Sequence, residues 1–317
     1  MQTWTVLLWN MALMSPGPRS AADNLGFLDD LIGRHSVDVA LLNEAPVAYL
    51  RAMNDRSAGA TERPRVCFSR TGTIGLDYWT DESGERKLKD RRRTTAAVLS
   101  GLGPEELGED EVRAQSPSRA HPRRPDVPFR ASRPGTWIAA SVSKEHGTPR
   151  EERLTCVSLY GLMDELGDAS MHRSLSDVSA AFSDPTYRDL VILGGDFNIG
   201  TSLEGAELRE RSRVVLDRIR AYDLRDCLAA WREKENLPRL AQCPCGDNPC
   251  RHTLTRLIPR IAGDTTPWQE RTPYQVDYLF ASNPLADRLE GVIETSPDEW
   301  ERYSDHAPLI VRFRKST

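Results

Sequence analysis

The chain has 317 residues, of which 39% are hydrophobic and 28% charged, with a formal net charge of −5. That composition excludes a disordered or fibrous chain and describes a globular protein long enough for one large domain or two small ones. No apolar run reaches the length of a membrane span, and the acidic balance offers no general attraction to nucleic acid, although it leaves a local basic groove open. Three of the six cysteines are scattered, which points to a reducing compartment rather than a disulfide scaffold. The first ten residues lack the basic and small-residue features of a secretory signal, so a cytoplasmic location is expected.

Residues 3–9 read as a buried strand that stops at Asn10. Ser20 and Asp23 are placed to cap a helix whose apolar residues, Leu25, Leu28, Leu31 and Ile32, recur near 3.6-residue spacing. A second apolar run, 37–42, ends in Asn43 and Glu44. Strand, helix, strand in this length predicts a parallel crossover, with both polar strand ends at one sheet edge.

Antiparallel strands are expected at 65–68, 72–79 and 94–99, interrupted by a charged run at 85–93. Residues 101–134 carry no sustained period and are rich in proline, glycine and arginine, which predicts a long basic loop. Residues 136–144 and 152–161 predict a hairpin of long strands, the second ending in Tyr160-Gly161. A helix is expected from Met171 through Phe182, with His172 and Arg173 at an N-terminus that favours anions.

Leu190-Val191-Ile192-Leu193 is a short buried strand that runs into Gly194-Gly195-Asp196-Phe197-Asn198. Asp196 and Asn198, two apart in an extended segment, would face one side. A carboxylate there can bind a metal or accept a proton, and an amide can donate to an oxyanion. The same residues also fit a turn in which they satisfy local backbone groups. An amphipathic helix over 203–224 follows, and then two short apolar strands flanked by acids, 274–280 and 303–311. No repeat or linker divides the chain, so residues 1–317 read as one domain with the basic loop at about 101–134 and a Cys/His-rich insertion at about 240–256.

Taken in order, Asn10, Glu44, Tyr160-Gly161, Gly195-Asp196-Phe197-Asn198, Val276-Asp277-Tyr278 and Ser304-Asp305-His306 resemble the endonuclease/exonuclease/phosphatase superfamily. These are the DNase I-like proteins that include exonuclease III-type nucleases, and the resemblance runs from Asn10 to His306. It implies an α/β fold, a four-layered sandwich of two packed mixed sheets with helices outside, and divalent-metal phosphoester hydrolysis. Asn43 departs from the glutamine that many relatives carry before the glutamate. The chemistry of the residues fits on its own terms, because magnesium or manganese takes oxygen ligands and few carboxylates. Glu44 is the first choice as ligand, with Asn10 holding it or a metal-bound water and Asp305 nearby. By resemblance, Asp196 orients and deprotonates the attacking water and Asn198 donates to a phosphoryl oxygen. Asp277 would pair with His306, whose protonated ring would contact the scissile phosphate, and Tyr160 would bind a phosphate oxygen or assist the leaving group.

A nucleic acid is the first substrate class. Arg91, Arg92 and Arg93 of the charged run, and Arg123 and Arg124 of the long loop, could track a phosphate backbone. Trp268 could stack on a base or pack on the scaffold. The same core would also serve a phosphatase or phosphodiesterase of a small molecule or lipid headgroup, and a binding scaffold is a third reading that the intact acidic set argues against. Cys243, Cys245, Cys250 and His252 form a Cys-x-Cys-x4-Cys-x-His pattern, read as a structural zinc site. Free thiols in a solvent loop, or a disulfide, are the alternatives. Oligomeric state is not legible.

Overall fold

The computed structural model of the chain describes residues 3–12, 21–46, 50–51, 65–68, 78–80, 86–88, 93–94, 96–109, 129–130, 136–145, 147–148, 151–162, 168–184, 187–258 and 266–315. The first half supplies β1 (Thr3–Asn10), α1 (Ala21–His35), β2 (Val39–Asn43), β3 (Arg65–Phe68), β4 (Ala97–Ser100), β5 (Glu105–Glu106), β6 (Trp137–Lys144) and β7 (Glu152–Leu159). Next come α2 (Ala169–Asp177), α3 (Ala180–Ser183), β8 (Val191–Asp196), α4 (Ala206–Arg220), β9 (Leu224–Asp226) and α5 (Cys227–Lys234). The chain finishes with β10 (Arg256–Leu257), β11 (Pro273–Tyr274), β12 (Asp277–Ser282), α6 (Asn283–Ala286), β13 (Leu289–Glu294), α7 (Pro297–Trp300) and β14 (Leu309–Arg314).

Two six-stranded sheets form, in the orders β13-β14-β1-β2-β4-β3 and β9-β12-β8-β7-β6-β5. Each has a parallel pair at its middle, β1 with β2 and β7 with β8, flanked by antiparallel neighbours. The parallel pairs therefore end at the rim where β12 and β14 begin. Asp196, the last residue of β8, lies opposite Asp277, the first of β12.

Alternation along the strands sorts the side chains into layers. Trp4, Val6 and Leu8 of β1 pack with Ile192, Leu279 and Cys156 of the other sheet, forming the core between the sheets. Leu7 and Trp9 point the other way, onto Phe27, Leu28 and Leu31 of α1. On the far side, Val157, Leu193 and Phe280 pack against Met171 and Leu175 of α2 and Val215 and Ile219 of α4. The result is the expected four layers, helix, sheet, sheet, helix. Each fully buried aliphatic or aromatic side chain contributes about 1.5–3 kcal/mol, and this is what can hold a rim of buried acids in place.

Some boundaries differ from expectation. The helix expected from Met171 begins two residues earlier and is broken into α2 and α3, because Val178 leaves helical geometry while its amide bonds the Ser174 carbonyl. The expected strand 94–99 contributes Ala97–Ser100 to the sheet, whereas Thr94 pairs separately with Ala45. The strand expected over 72–79 is described only at Tyr78–Thr80, and the long basic loop only at 101–109 and 129–130. No helix among the described residues is long and apolar enough to cross a membrane.

Candidate active site

The inward-facing register of the strands ends in polar side chains. Asn10 continues the parity of Trp4, Val6 and Leu8; Asp196 continues that of Ile192. They meet across the sheets, the Asn10 amide donating to Asp196 Oδ2 at 2.8 Å and, at 3.4 Å, to Glu44 Oε1. The Asn10 side-chain oxygen Oδ1 accepts from the Ala12 backbone N–H at 2.8 Å. Asn43 bridges the same gap, its Oδ1 accepting from the Asp196 backbone at 2.8 Å. Tyr160, just beyond β7, donates to Glu44 Oε1 at 3.0 Å.

Backbone conformation at this rim is unusual. Glu44 (φ 52°) and Asn198 (φ 50°) both adopt the left-handed region, which costs energy for a glutamate and is tolerated by an asparagine. Gly195 has φ 149°, and a Cβ there would lie 1.8 Å from the Leu159 carbonyl oxygen. The ends of β7 and β8 thus approach more closely than any side chain permits. The strand stops at Asp196, so Asn198 does not share its face by extended geometry. A turn holds the two together instead: the Asn198 backbone N–H donates to Asp196 Oδ1 at 2.9 Å, and the Asn198 side-chain amide donates to the Gly161 carbonyl at 2.7 Å.

The loop before β14 closes the site. Ser304 donates to the Asn10 carbonyl at 2.8 Å and accepts from the His306 amide at 3.0 Å, fixing that loop to β1. His306 Nδ1 lies 2.8 Å from Asp277 Oδ2, and its Nε2 lies 3.8 Å from Asp196 Oδ2. Asp305 accepts from Arg256 Nε at 3.2 Å.

Glu44, Asp196, Asp277 and Asp305 are all buried here, with His306 buried and Arg256 partly exposed among them. Burial raises the Glu44 carboxyl above its ordinary range, with His306 opposing. Burial likewise raises Asp196, to about 7, with His306 opposing and Asp277 adding. Burial pulls the His306 imidazolium down, but Asp277, Asp196 and Asp305 outweigh it and lift the ring to about 9. The Arg256 charge is favoured by the same carboxylates against its own burial. Burial and Glu44 raise the Tyr160 hydroxyl, which keeps it a donor. Four carboxyl groups face two cationic side chains here, and Asp277 Oδ1 is buried without a hydrogen-bond partner among the described residues. Such a donor set fits a hard divalent cation, to which Glu44 and Asp305 could offer carboxylate oxygens and Asn10 an amide oxygen. Asp196, Asp277 and His306 also lie close enough together to hold a metal. The raised imidazole of His306 opposes that use, because a protonated ring is no ligand.

Other predicted contacts fall elsewhere. His172 is held on the outer helical layer, its carbonyl accepting from Arg218 at 2.6 Å and its ring lying 3.8 Å from Asp168. Arg173 is exposed on α2. The residue before that helix is Asp168, whose carboxylate pairs with Arg211 and makes no cap hydrogen bond to the helix. Trp268 is half-buried against the α1-side core, and its indole donates to Asp298 at 3.3 Å. The Arg93 backbone pairs with Pro46, and Arg91, Arg92, Arg123 and Arg124 lie outside the described residues. Cys243, Cys245, Cys250 and His252 gather into a second cluster. Sequence reasoning missed Arg256 and the bridging roles of Asn43 and Ser304. For Asn43 the signal was present in the strand parity that also places Asn10; for Arg256 there was none.

No protein-family profile and no curated protein sequence matches the chain. Solved structures do. An AP endonuclease from Leishmania major is 15% identical with a TM-score of 0.57, over 99% of this chain and 88% of that one. A 3' phosphatase from Neisseria bound to product DNA hairpin is 17% identical with a TM-score of 0.53, over 98% and 99%. An endonuclease/exonuclease/phosphatase from Beutenbergia cavernae is 13% identical with a TM-score of 0.57, over 100% and 72%. The fold is the DNase I-like sandwich of the endonuclease/exonuclease/phosphatase proteins.

Proposed function

We propose that this protein is a divalent-metal-dependent phosphoester hydrolase and that its substrate is a nucleic-acid phosphodiester. The observation that carries the reading is the junction at one rim of Asn10, Asp196 and His306, with the Asp277 carboxylate 2.8 Å behind the imidazole. Asp196 has one oxygen fixed by the Asn198 backbone and the other by the Asn10 amide, so it is oriented to take a proton from a water attacking phosphorus. Its raised carboxyl matches that task near neutral pH. His306, held as a cation, neutralises charge on the phosphoryl oxygens. Tyr160, Asn198 and Arg256 are further donors for those oxygens or for the leaving oxygen. A magnesium or manganese ion held by Glu44, Asn10 and Asp305 would supply Lewis acidity and a template for the phosphate. The fold neighbours include an AP endonuclease and a 3' phosphatase bound to product DNA, which favours a polymeric substrate over a small one.

The test is to incubate the purified protein with magnesium or manganese and, separately, plasmid, single-stranded DNA, RNA and a panel of phosphomonoesters, with an EDTA control. Cleavage of a polymer is expected, lost in EDTA. Asp196→Ala should fold and lose roughly 10²–10⁴-fold in rate, the usual cost of removing a general base. Hydrolysis of monoesters alone would overturn the nuclease assignment. Undiminished turnover in Asp196→Ala would remove this rim from the chemistry.

A further inference from the structure

We propose that Cys243, Cys245, Cys250 and His252 bind one zinc ion, and that this ion anchors the segment carrying Arg256 against the acidic rim. Neither part rests on the hydrolase reading. The three thiols and the imidazole are all buried, and one ligand atom from each lies within 4.8 Å of every other. Hydrophobic packing does not account for the gathering, because Leu240 is the hydrophobic side chain packed on the cluster among the described residues. From the end of α5 at Lys234 to the start of β10 at Arg256 there is no helix or strand. A loop of that length needs some other restraint to hold a fixed path.

The two sulfur–nitrogen separations from His252 match a tetrahedral site. Zinc bonds sulfur at about 2.3 Å and imidazole nitrogen at about 2.0–2.1 Å, which at the tetrahedral angle separates the two ligand atoms by about 3.6 Å. His252 Nδ1 lies 3.6 Å from Cys243 Sγ and 3.5 Å from Cys250 Sγ. The outer partners point the same way. His252 Nε2 lies 2.7 Å from the Thr201 hydroxyl, which turns Nδ1 towards the sulfurs. The Asp247 backbone N–H donates to Cys245 Sγ at 3.3 Å, as an amide does to a thiolate. Four protein ligands close the site to water, which makes the ion structural.

His252 is also the first residue of a strap laid across the acidic rim. The Thr253 amide donates to Gln275 Oε1 at 2.9 Å. Thr255 Oγ1 accepts from the amides of Val276 and Asp277 at 3.0 and 3.1 Å. The Ala307 amide donates to the Thr255 carbonyl at 2.8 Å, and the Leu257 amide to the Asp305 carbonyl at 2.9 Å. Arg256, between them, reaches Asp305. Through Thr201 on one side and this strap on the other, the ion ties the loop after Asn198 to the segments that carry Asp277 and His306.

Elemental analysis of untagged protein, grown with zinc and dialysed, is expected to find about one zinc per chain. The three thiols should resist a thiol reagent until a strong chelator removes the ion, and cobalt substitution should give the visible absorption of tetrahedral cobalt thiolate. Cys245→Ser should lose the metal, and His252→Cys should keep it; if Cys245→Ser does not fold, the wild-type metal content and thiol reactivity decide. Asp196→Asn should keep its zinc in full, which separates this test from that of the hydrolase reading. Hydrogen exchange at the amides of Thr253, Leu257 and Asp277 should speed up when zinc is stripped. Metal-free protein with freely reactive thiols, a disulfide within the cluster, or stoichiometric iron in place of zinc would overturn the assignment. Unchanged exchange after stripping would overturn the anchoring.

Discussion

His306 is the residue whose charge is set most completely by its surroundings. Burial disfavours its imidazolium, yet three carboxylates lift it to about 9. A base whose pKa is raised on folding stabilises the folded state fully below its unfolded value, about 6.5. That contribution fades as pH rises from there through about 9. Asp277 is the largest of the raising influences and touches the ring directly. In Asp277→Asn the opposing burial remains while that attraction is lost, so the midpoint should fall by about 1–3 units. A proton NMR titration of the ring in EDTA, wild type against variant, reads this. An unmoved midpoint would mean that Asp277 only orients the ring.

At the scale of elements, the site is a property of strand ends. β7 and β8 run parallel, and their backbones converge at Leu159 and Gly195, where a methyl group would collide with a carbonyl. Gly195→Ala must push the strands apart or distort the backbone ahead of Asp196. It should destabilise by about 2–3 kcal/mol, seen as a lower urea midpoint, with a rate loss from a displaced Asp196. A wild-type midpoint would show that the rim yields without cost. This local order also explains what could be read in advance. Period-two alternation carries Asn10 and Asp196 onto the inner faces of their strands, so their meeting follows from sequence once the sheets are stacked. Asn198 does not follow from alternation, because the strand stops at Asp196 and Asn198 itself takes the left-handed conformation. Arg256 is placed by a partner 49 residues away and by a bridge to His306, neither of which leaves a local pattern. His172 and Trp268 carry side chains that suit a ligand and a scaffold equally well. Only tertiary contacts, with Arg218 and Asp298, place them.

At the scale of the whole molecule, two packed sheets hold a group of acids out of water, and the fold carries that cost in its large apolar core. Glu44 shows the sign. An acid whose pKa is raised on folding destabilises the folded state once it ionises, so without metal at neutral pH the Glu44 charge works against the fold. Glu44→Gln should therefore have a higher Tm than wild type in the absence of divalent ions. Adding magnesium should reverse the order. A cation that binds only the folded state stabilises it by about 2.7 kcal/mol at a hundred times its Kd. Each kcal/mol moves Tm by roughly 2–4 °C in a domain of about 150–250 residues. Wild type should rise by several degrees and the variant by much less. Sodium chloride at equal ionic strength controls for screening, and magnesium is added rather than chelated away, so that a zinc ion in the cysteine cluster is left in place. If both proteins respond equally, Glu44 is not a ligand. If the variant is also no more stable without metal, then the left-handed backbone at Glu44, and not its charge, sets the energy of this corner of the rim.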